Sequence, residues 1–212
     1  MATRIDDTWP AGIVVPKRNF VYIPIPKVAC TSIKARIAGL EGKRLVNNDP
    51  HQTQFQTISL EATYNSPIPS FAFVRHPVDR LYSCWKDKVS QKITIEFSRF
   101  PFYSGMPFED FVNVVKDIPD DEADGHFRSQ YAYVYHRGFQ AVTYVAKLEN
   151  CEEEWRNISN WLKLPYEPLE TRNSTGKRQP ISSTLFEVIL GRYENDFNKF
   201  NYEVDYGGKK KD

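Results

Sequence analysis

Two stretches of this chain carry residue types that can hold an anion. The first is Pro26-Lys27-Val28-Ala29-Cys30-Thr31-Ser32. Small side chains at Ala29 and Cys30 let an anion approach the backbone, and Lys27 adds a full positive charge at the loop mouth. If a helix starts here, its first amides have no intrahelical partner and sit at the positive end of the macrodipole. Thr31 or Ser32 would cap it by accepting from an early amide. That combination suits phosphate. The second stretch is Arg75-His76-Pro77, with Ser83 eight residues after Arg75. An arginine at the carboxyl end of a parallel strand stands where ligands bind in open α/β sheets. Ser83, two helical turns on, could share a ligand with Arg75 if the helix lies alongside.

The flanking sequence supplies the elements these residues need. An apolar run at 20–25 leads into the first loop, and Ile33, Ile37, Ala38 and Leu40 follow it with helical spacing. Residues 71–74 are short, apolar and β-prone, as a buried parallel strand should be. Pro77 suits the first turn of a helix over 77–89. Further on, the pattern predicts a short helix at 107–115, a strand at 139–147 and a helix at 152–162. A last helix is capped by Ser182 or Ser183, with Leu185, Val188, Ile189, Tyr193 and Phe197 on its apolar face. Residues 1–18 read as a polar lead-in broken by Pro10 and Pro16, and 207–212 as a frayed tail. No linker or repeat interrupts the pattern, so one domain over 1–212 is expected, of class α/β: three layers, with a central parallel sheet flanked by helices. The loop at 26–32 lacks the glycines and the Gly-Lys-Ser/Thr ending of a Walker A loop, which counts against a nucleotide kinase. A nucleotide-binding module without catalysis stays open.

Composition narrows the function further. With 28 Lys and Arg against 27 Asp and Glu, the net charge is +1, so nothing in the overall field favours nucleic acid. An anionic ligand must be held by local charge. Three cysteines without close pairing indicate neither a disulfide framework nor a zinc site, and no cluster of metal-ligating residues stands out. The start is acidic without an apolar core, and no apolar run is long enough to span a bilayer, so a soluble, cytoplasmic protein is the expectation. The stretch 92–125 is rich in aromatics (Phe97, Phe100, Phe102, Tyr103, Phe108, Phe111). These are read as core, with an acceptor pocket lined by rings as the sharper alternative.

The two anion stretches, in this order and each after a strand, resemble the sulfotransferases that use 3′-phosphoadenosine 5′-phosphosulfate (PAPS). The nearest likeness is to the carbohydrate branch and its bacterial relatives. Residues 26–32 resemble that family's 5′-phosphosulfate loop, and Arg75 through Ser83 its 3′-phosphate motif. Lys147-Leu148-Glu149-Asn150 and the segment 192–202 agree, so the resemblance spans about residues 19–202. It implies PAPS as co-substrate, 3′-phosphoadenosine 5′-phosphate (PAP) as product, no metal, and a hydroxyl-bearing acceptor such as a glycan. It implies that Lys27, Val28, Ala29, Cys30, Thr31 and Ser32 hold the phosphosulfate, and Arg75 and Ser83 the 3′-phosphate. The late loop residues Asn173, Ser174, Thr175 and Lys177 would close over the nucleotide. His51 lies in the interval where the family keeps its catalytic histidine, and a neutral imidazole suits proton acceptance near neutral pH. Asp49 and Glu61 are carboxylate alternatives. The segment Asp124-Gly125-His126-Phe127-Arg128-Ser129-Gln130 resembles a family segment with proline where this chain has Ser129. It makes His126 and Arg128 candidates for acceptor contact.

Overall fold

The computed structural model describes residues 11–170, 176 and 178–204. They form two compact units, each built from two separate stretches of chain. Unit one holds 11–74 and 132–170; unit two holds 75–131 with 176 and 178–204.

Unit one contains a five-stranded sheet in the order β3-β1-β2-β4-β7. Its strands are β1 (Ala11–Val15), β2 (Phe20–Ile23), β3 (Thr57–Ser59), β4 (Ser70–Val74) and β7 (Tyr144–Lys147). β2, β4 and β7 run parallel, with Tyr22 opposite Phe71 and Phe71 opposite Tyr144. Every residue of β2 and of β4 is buried, which is why both read as unbroken apolar runs. Ser70 and Thr143 stitch the starts of β4 and β7: the Thr143 amide donates to Ser70 Oγ at 3.0 Å and the Ser70 amide to Thr143 Oγ1 at 3.2 Å. The link from β2 to β4 passes through α1 (Cys30–Leu40), which buries Ile33, Ile37, Ala38 and Leu40, and the short α2 (Leu60–Tyr64).

The α/β class is as expected, but the sheet is mixed. β1 pairs antiparallel with both β2 and β3. β1 lies inside the stretch read as a polar lead-in. Pro10 and Pro16, taken as breakers, bracket it. A three-residue turn at Pro16–Arg18, with Asn19 in the left-handed region at φ 54°, returns the chain directly to β2; so short a link allows only an antiparallel neighbour. A second difference falls at 139–147. Phe139–Gln140 (β6) pairs with Tyr135–His136 (β5) in a hairpin, and the parallel strand begins only at Tyr144. The turn residues Arg137 and Gly138 both have positive φ, 51° and 85°, as a tight hairpin turn requires. α5 (Tyr131–Val134) precedes this hairpin. Beyond β7, α6 (Cys151–Trp161) buries Trp155 and Ile158. Trp155 lies 6.2 Å from Phe71 and donates its indole N–H to the Glu167 carbonyl at 2.9 Å.

Unit two contains α3 (Pro77–Lys88), α4 (Phe108–Val115), α7 (Ser183–Arg192) and α8 (Glu194–Lys199). Ser182 caps α7 by accepting from the Leu185 amide. The single last helix expected from periodicity is broken at Tyr193 into α7 and α8. Phe97, Phe102, Phe111 and Phe127 pack with α7 and α8 residues into one core, and Phe102 and Phe111 lie 4.9 Å apart. These rings are core, whereas Tyr103 of the same stretch is exposed. Cys30, Cys84 and Cys151 are all free thiols.

Candidate active site

In unit one the chain leaves β2 and enters α1 through a loop without glycine. Lys27 and Ala29 nevertheless adopt the left-handed conformation, at φ 68° and 49°, with Val28 between them outside that region. Such positions cost energy for residues with a Cβ and cluster at functional sites. Alternation of this kind turns backbone amides into a concave anion cradle. α1 begins at Cys30, with Ala29 in the cap position and no side chain capping it. The expected cap by Thr31 or Ser32 is therefore absent, because both already lie inside the helix. The first intrahelical bond of this turn runs from the Ile33 amide to the Ala29 carbonyl at 3.1 Å, so the amides ahead of it have no intrahelical acceptor. Val28 is fully buried and Ser32 is nearly so; Val28 can offer a ligand only its backbone.

His51 docks on the first turn of α1. Its Nε2 lies 3.0 Å from Thr31 Oγ1 and its Nδ1 3.3 Å from Lys34 Nζ. An ammonium only donates, so Nδ1 holds the lone pair and Nε2 carries the hydrogen, which it donates to Thr31. Burial pulls the Lys34 ammonium below the usual lysine range, partly offset by Cys30 and Asp49. Asp49 builds the turn that presents the ring. Its Oδ1 accepts from the His51 amide at 2.8 Å and its Oδ2 from Gln52 Nε2 at 3.1 Å. The amide bond from His51 holds the Asp49 carboxyl below the usual carboxylate range, which makes it a poorer base. Glu61 lies in the first turn of α2.

In unit two, Arg75 follows the last residue of β4 directly. Its amide donates to Gln130 Oε1 and its carbonyl accepts from Gln130 Nε2, both at 2.8 Å. Asp196, 1% exposed, accepts from the Gln130 amide at 2.9 Å, from Gln130 Nε2 at 3.3 Å and from the Tyr131 amide at 2.7 Å. Ser83 is buried in α3 at 2% exposure. Arg80, also 2% exposed, donates to the carbonyls of Arg128 and Gly125 at 2.6 and 2.9 Å. It thus holds the segment that carries His126.

His126 Nδ1 lies 2.7 Å from Asp124 Oδ1, which also accepts the His126 amide. Burial alone would raise the Asp124 carboxyl, but the bonds from the His126 ring and backbone outweigh it, and the net shift is downward. An ionised Asp124 only accepts, so Nδ1 carries the hydrogen and Nε2 the lone pair. Asp124 caps no helix; it closes a turn, its carbonyl accepting from the amides of Phe127 and Arg128. Arg128 folds back to donate to the Ala123 carbonyl. Ser129 explains how this chain manages without proline there. Its amide and hydroxyl both donate to Asp120, and proline could supply neither bond. Asp120 also accepts from Arg192 at 2.8 Å.

A family model, described as the Sulfotransferase family, matches residues 11–203. The chain belongs to the Sulfotransferase family. It is a transferase enzyme that moves a sulfuryl group, and its family implies PAPS as donor and a hydroxyl-bearing acceptor. Two curated relatives, carbohydrate sulfotransferase 11 from Rattus norvegicus and from Mus musculus, are each 25% identical to it over 236 residues, covering 91% of this sulfotransferase and 67% of the relative. No solved structure matches at a significant level. Among the described residues, no group of three or more His, Cys, Asp or Glu side chains could hold a metal ion. Among them, too, no helix is long and apolar enough to cross a membrane.

Of the expected site residues, the structure joins His51 to the first turn that follows the Lys27 loop, and places Arg75 and Ser83 at and after the end of β4. Asn173, Ser174, Thr175 and Lys177 lie outside the described residues. Arg178 pairs with the first turn of α3, its Nε 2.8 Å from Asp79 Oδ1. Lys34, Gln130 and Asp196 were not among the expected site residues. Lys34 had a usable signal, one turn after Thr31 on the same helix face. Gln130 and Asp196 act across 55 and 66 residues, and no local pattern reports that.

Proposed function

We propose that this sulfotransferase moves the sulfuryl group of PAPS to a hydroxyl of a carbohydrate. The observation that carries the reading is the left-handed, glycine-free loop at Lys27–Ala29, opening onto α1 with cationic Lys27 and Lys34 nearby. Its donor set fits a doubly anionic phosphosulfate. The two curated relatives, both named as carbohydrate sulfotransferases, support a carbohydrate acceptor. When bound, PAPS supplies the sulfuryl group, which passes to the acceptor oxygen as the bond to the 5′-phosphate oxygen breaks. Lys27 and the amides of 28–32 stabilise the charge that builds on that oxygen, preorganised donors being worth about 3 kcal/mol each in comparable sites. Arg75 and Ser83 take the 3′-phosphate, with Arg75 suited to a bidentate contact.

His51 accepts the proton of the acceptor hydroxyl at Nδ1. To do so it exchanges the Lys34 ammonium for that hydroxyl, and Lys34 stays beside Thr31 to balance the phosphosulfate charge. A second reading is favoured by one observation: Asp124 orients His126 and leaves its Nε2 lone pair outward from the pair, the arrangement a general base needs. In the first reading His126 and Arg128 contact the acceptor instead. Calorimetry tests the nucleotide assignment. The protein should bind PAP at least tenfold more tightly than adenosine 5′-monophosphate, since a charge-assisted bond is worth about 1.5–3 kcal/mol. Arg75→Ala should erase the preference. Equal affinities in the wild type, or an unchanged preference in Arg75→Ala, would refute it.

A further inference from the structure

We infer that Gln130 is a positioning residue for Arg75, anchored in turn by Asp196. The inference rests on the reading in which Arg75 takes the 3′-phosphate. Arg75 stands one residue past Val74, the last residue of β4 in the parallel ladder. Past a strand end, a backbone is no longer held by a neighbouring strand. Gln130 takes over that task with a side chain. Its carboxamide accepts from the Arg75 amide and donates to the Arg75 carbonyl, each at 2.8 Å. One residue of an antiparallel partner strand would make the same pair of bonds. Both backbone polar groups of Arg75 are thereby fixed, and with them the direction in which its side chain leaves the main chain.

The carboxamide can sit only one way round. Oε1 faces a donor, whereas Nε2 faces the Arg75 carbonyl and the Asp196 carboxylate. Gln130 is 0% exposed, so water does not compete for these bonds. Asp196 holds the other side of the joint. Its two oxygens take the consecutive amides of Gln130 and Tyr131, and Oδ2 also receives Nε2. A carboxylate this buried persists only when its oxygens are satisfied; three donors meet it here. The chain Asp196–Gln130–Arg75 thus runs from the start of α8 to the arginine at the strand end.

The test compares nucleotide selectivity in the full chain. PAP and adenosine 5′-monophosphate are titrated calorimetrically into wild type, Arg75→Ala, Gln130→Met and Gln130→Glu. Methionine keeps the length and loses both bonds to Arg75 and the one to Asp196; glutamate keeps the acceptor for the Arg75 amide, loses both Nε2 bonds and sets a second carboxyl group against Asp196. The expected result is a preference for PAP that falls by ~10-fold or more in both Gln130→Met and Gln130→Glu, as loss of the bonds that fix the Arg75 backbone implies. Affinity for the monophosphate should stay at the wild-type value. That invariance marks positioning, because general loosening of the fold weakens both nucleotides together. If both Gln130 variants keep the full preference while Arg75→Ala loses it, the inference falls and the role of Arg75 stands. If the wild type shows no preference, both fall. Amide hydrogen exchange on the wild type does not depend on any variant folding: the Arg75 amide should be as protected as those of β4. Exchange at the rate of an exposed loop would overturn the inference.

Discussion

His51 and His126 illustrate how two imidazoles acquire opposite tautomers from their neighbours. Lys34 can only donate, so the lone pair of His51 is on Nδ1; ionised Asp124 can only accept, so that of His126 is on Nε2. With His51 as base, His51→Ala should lower kcat by ~10²–10⁴ and His126→Ala should leave most of the turnover. Steady-state kinetics with both variants checks this, and the reverse outcome assigns the proton to His126. Asp196 gives a separate prediction. Burial pushes its carboxyl up to about 6, against the downward pull of the Gln130 and Tyr131 amides and of Arg80. A folded pKa above the unfolded value means the native state binds the extra proton. The contribution to stability is therefore full below the ordinary value of 3.8 and is lost as pH rises through about 6. Asp196→Asn should remove that slope, so the stability of wild type relative to the variant falls between pH 4 and 6 in urea titrations, and a flat difference would contradict it. That Lys27 precedes a helix and that Arg75 follows a buried strand were legible in the sequence, because residue type and local spacing define those elements. Gln130 was named only as part of a resembled segment, since its bond to Arg75 spans 55 residues.

At the level of elements, local pattern located most helices and the parallel strands. α3, α4 and α6 begin and end within a residue or two of their expected limits, because each carries an apolar stripe or a proline at its start. The antiparallel strands were not legible. β3 is a three-residue, mostly polar edge, and β1, although apolar, is set against β2 by the turn at Pro16–Arg18 rather than by composition. Gly12 shows how tightly β1 is fitted. A Cβ there would lie 2.6 Å from Val21 Cγ1 and 2.8 Å from Ile23 Cδ1. Val21 is β-branched and fully buried, so it has no room to yield. Gly12→Ala should therefore destabilise the protein by about 1–3 kcal/mol, seen as a lower midpoint in thermal melts; an unchanged midpoint would show that β1 shifts freely.

Over the whole molecule, each of the two compact units closes only when distant stretches of chain return to it. Unit one needs 132–170 to complete its sheet with β7, and unit two needs 178–204 to supply α7, α8 and Asp196. The sequence shows no linker and no break in composition along these stretches. The near-neutral net charge of +1 makes local cation placement decide where an anion binds. The most direct test of the account is transfer of label from ³⁵S-PAPS to a panel of carbohydrates, with phenols and peptides alongside. The account predicts label on a carbohydrate hydroxyl with wild type, and a rate lower by ~10² or more in Lys27→Ala, as loss of one preorganised donor to the leaving oxygen implies. Label that stays on the donor, that passes only to non-carbohydrate acceptors, or that transfers equally well in Lys27→Ala would contradict it.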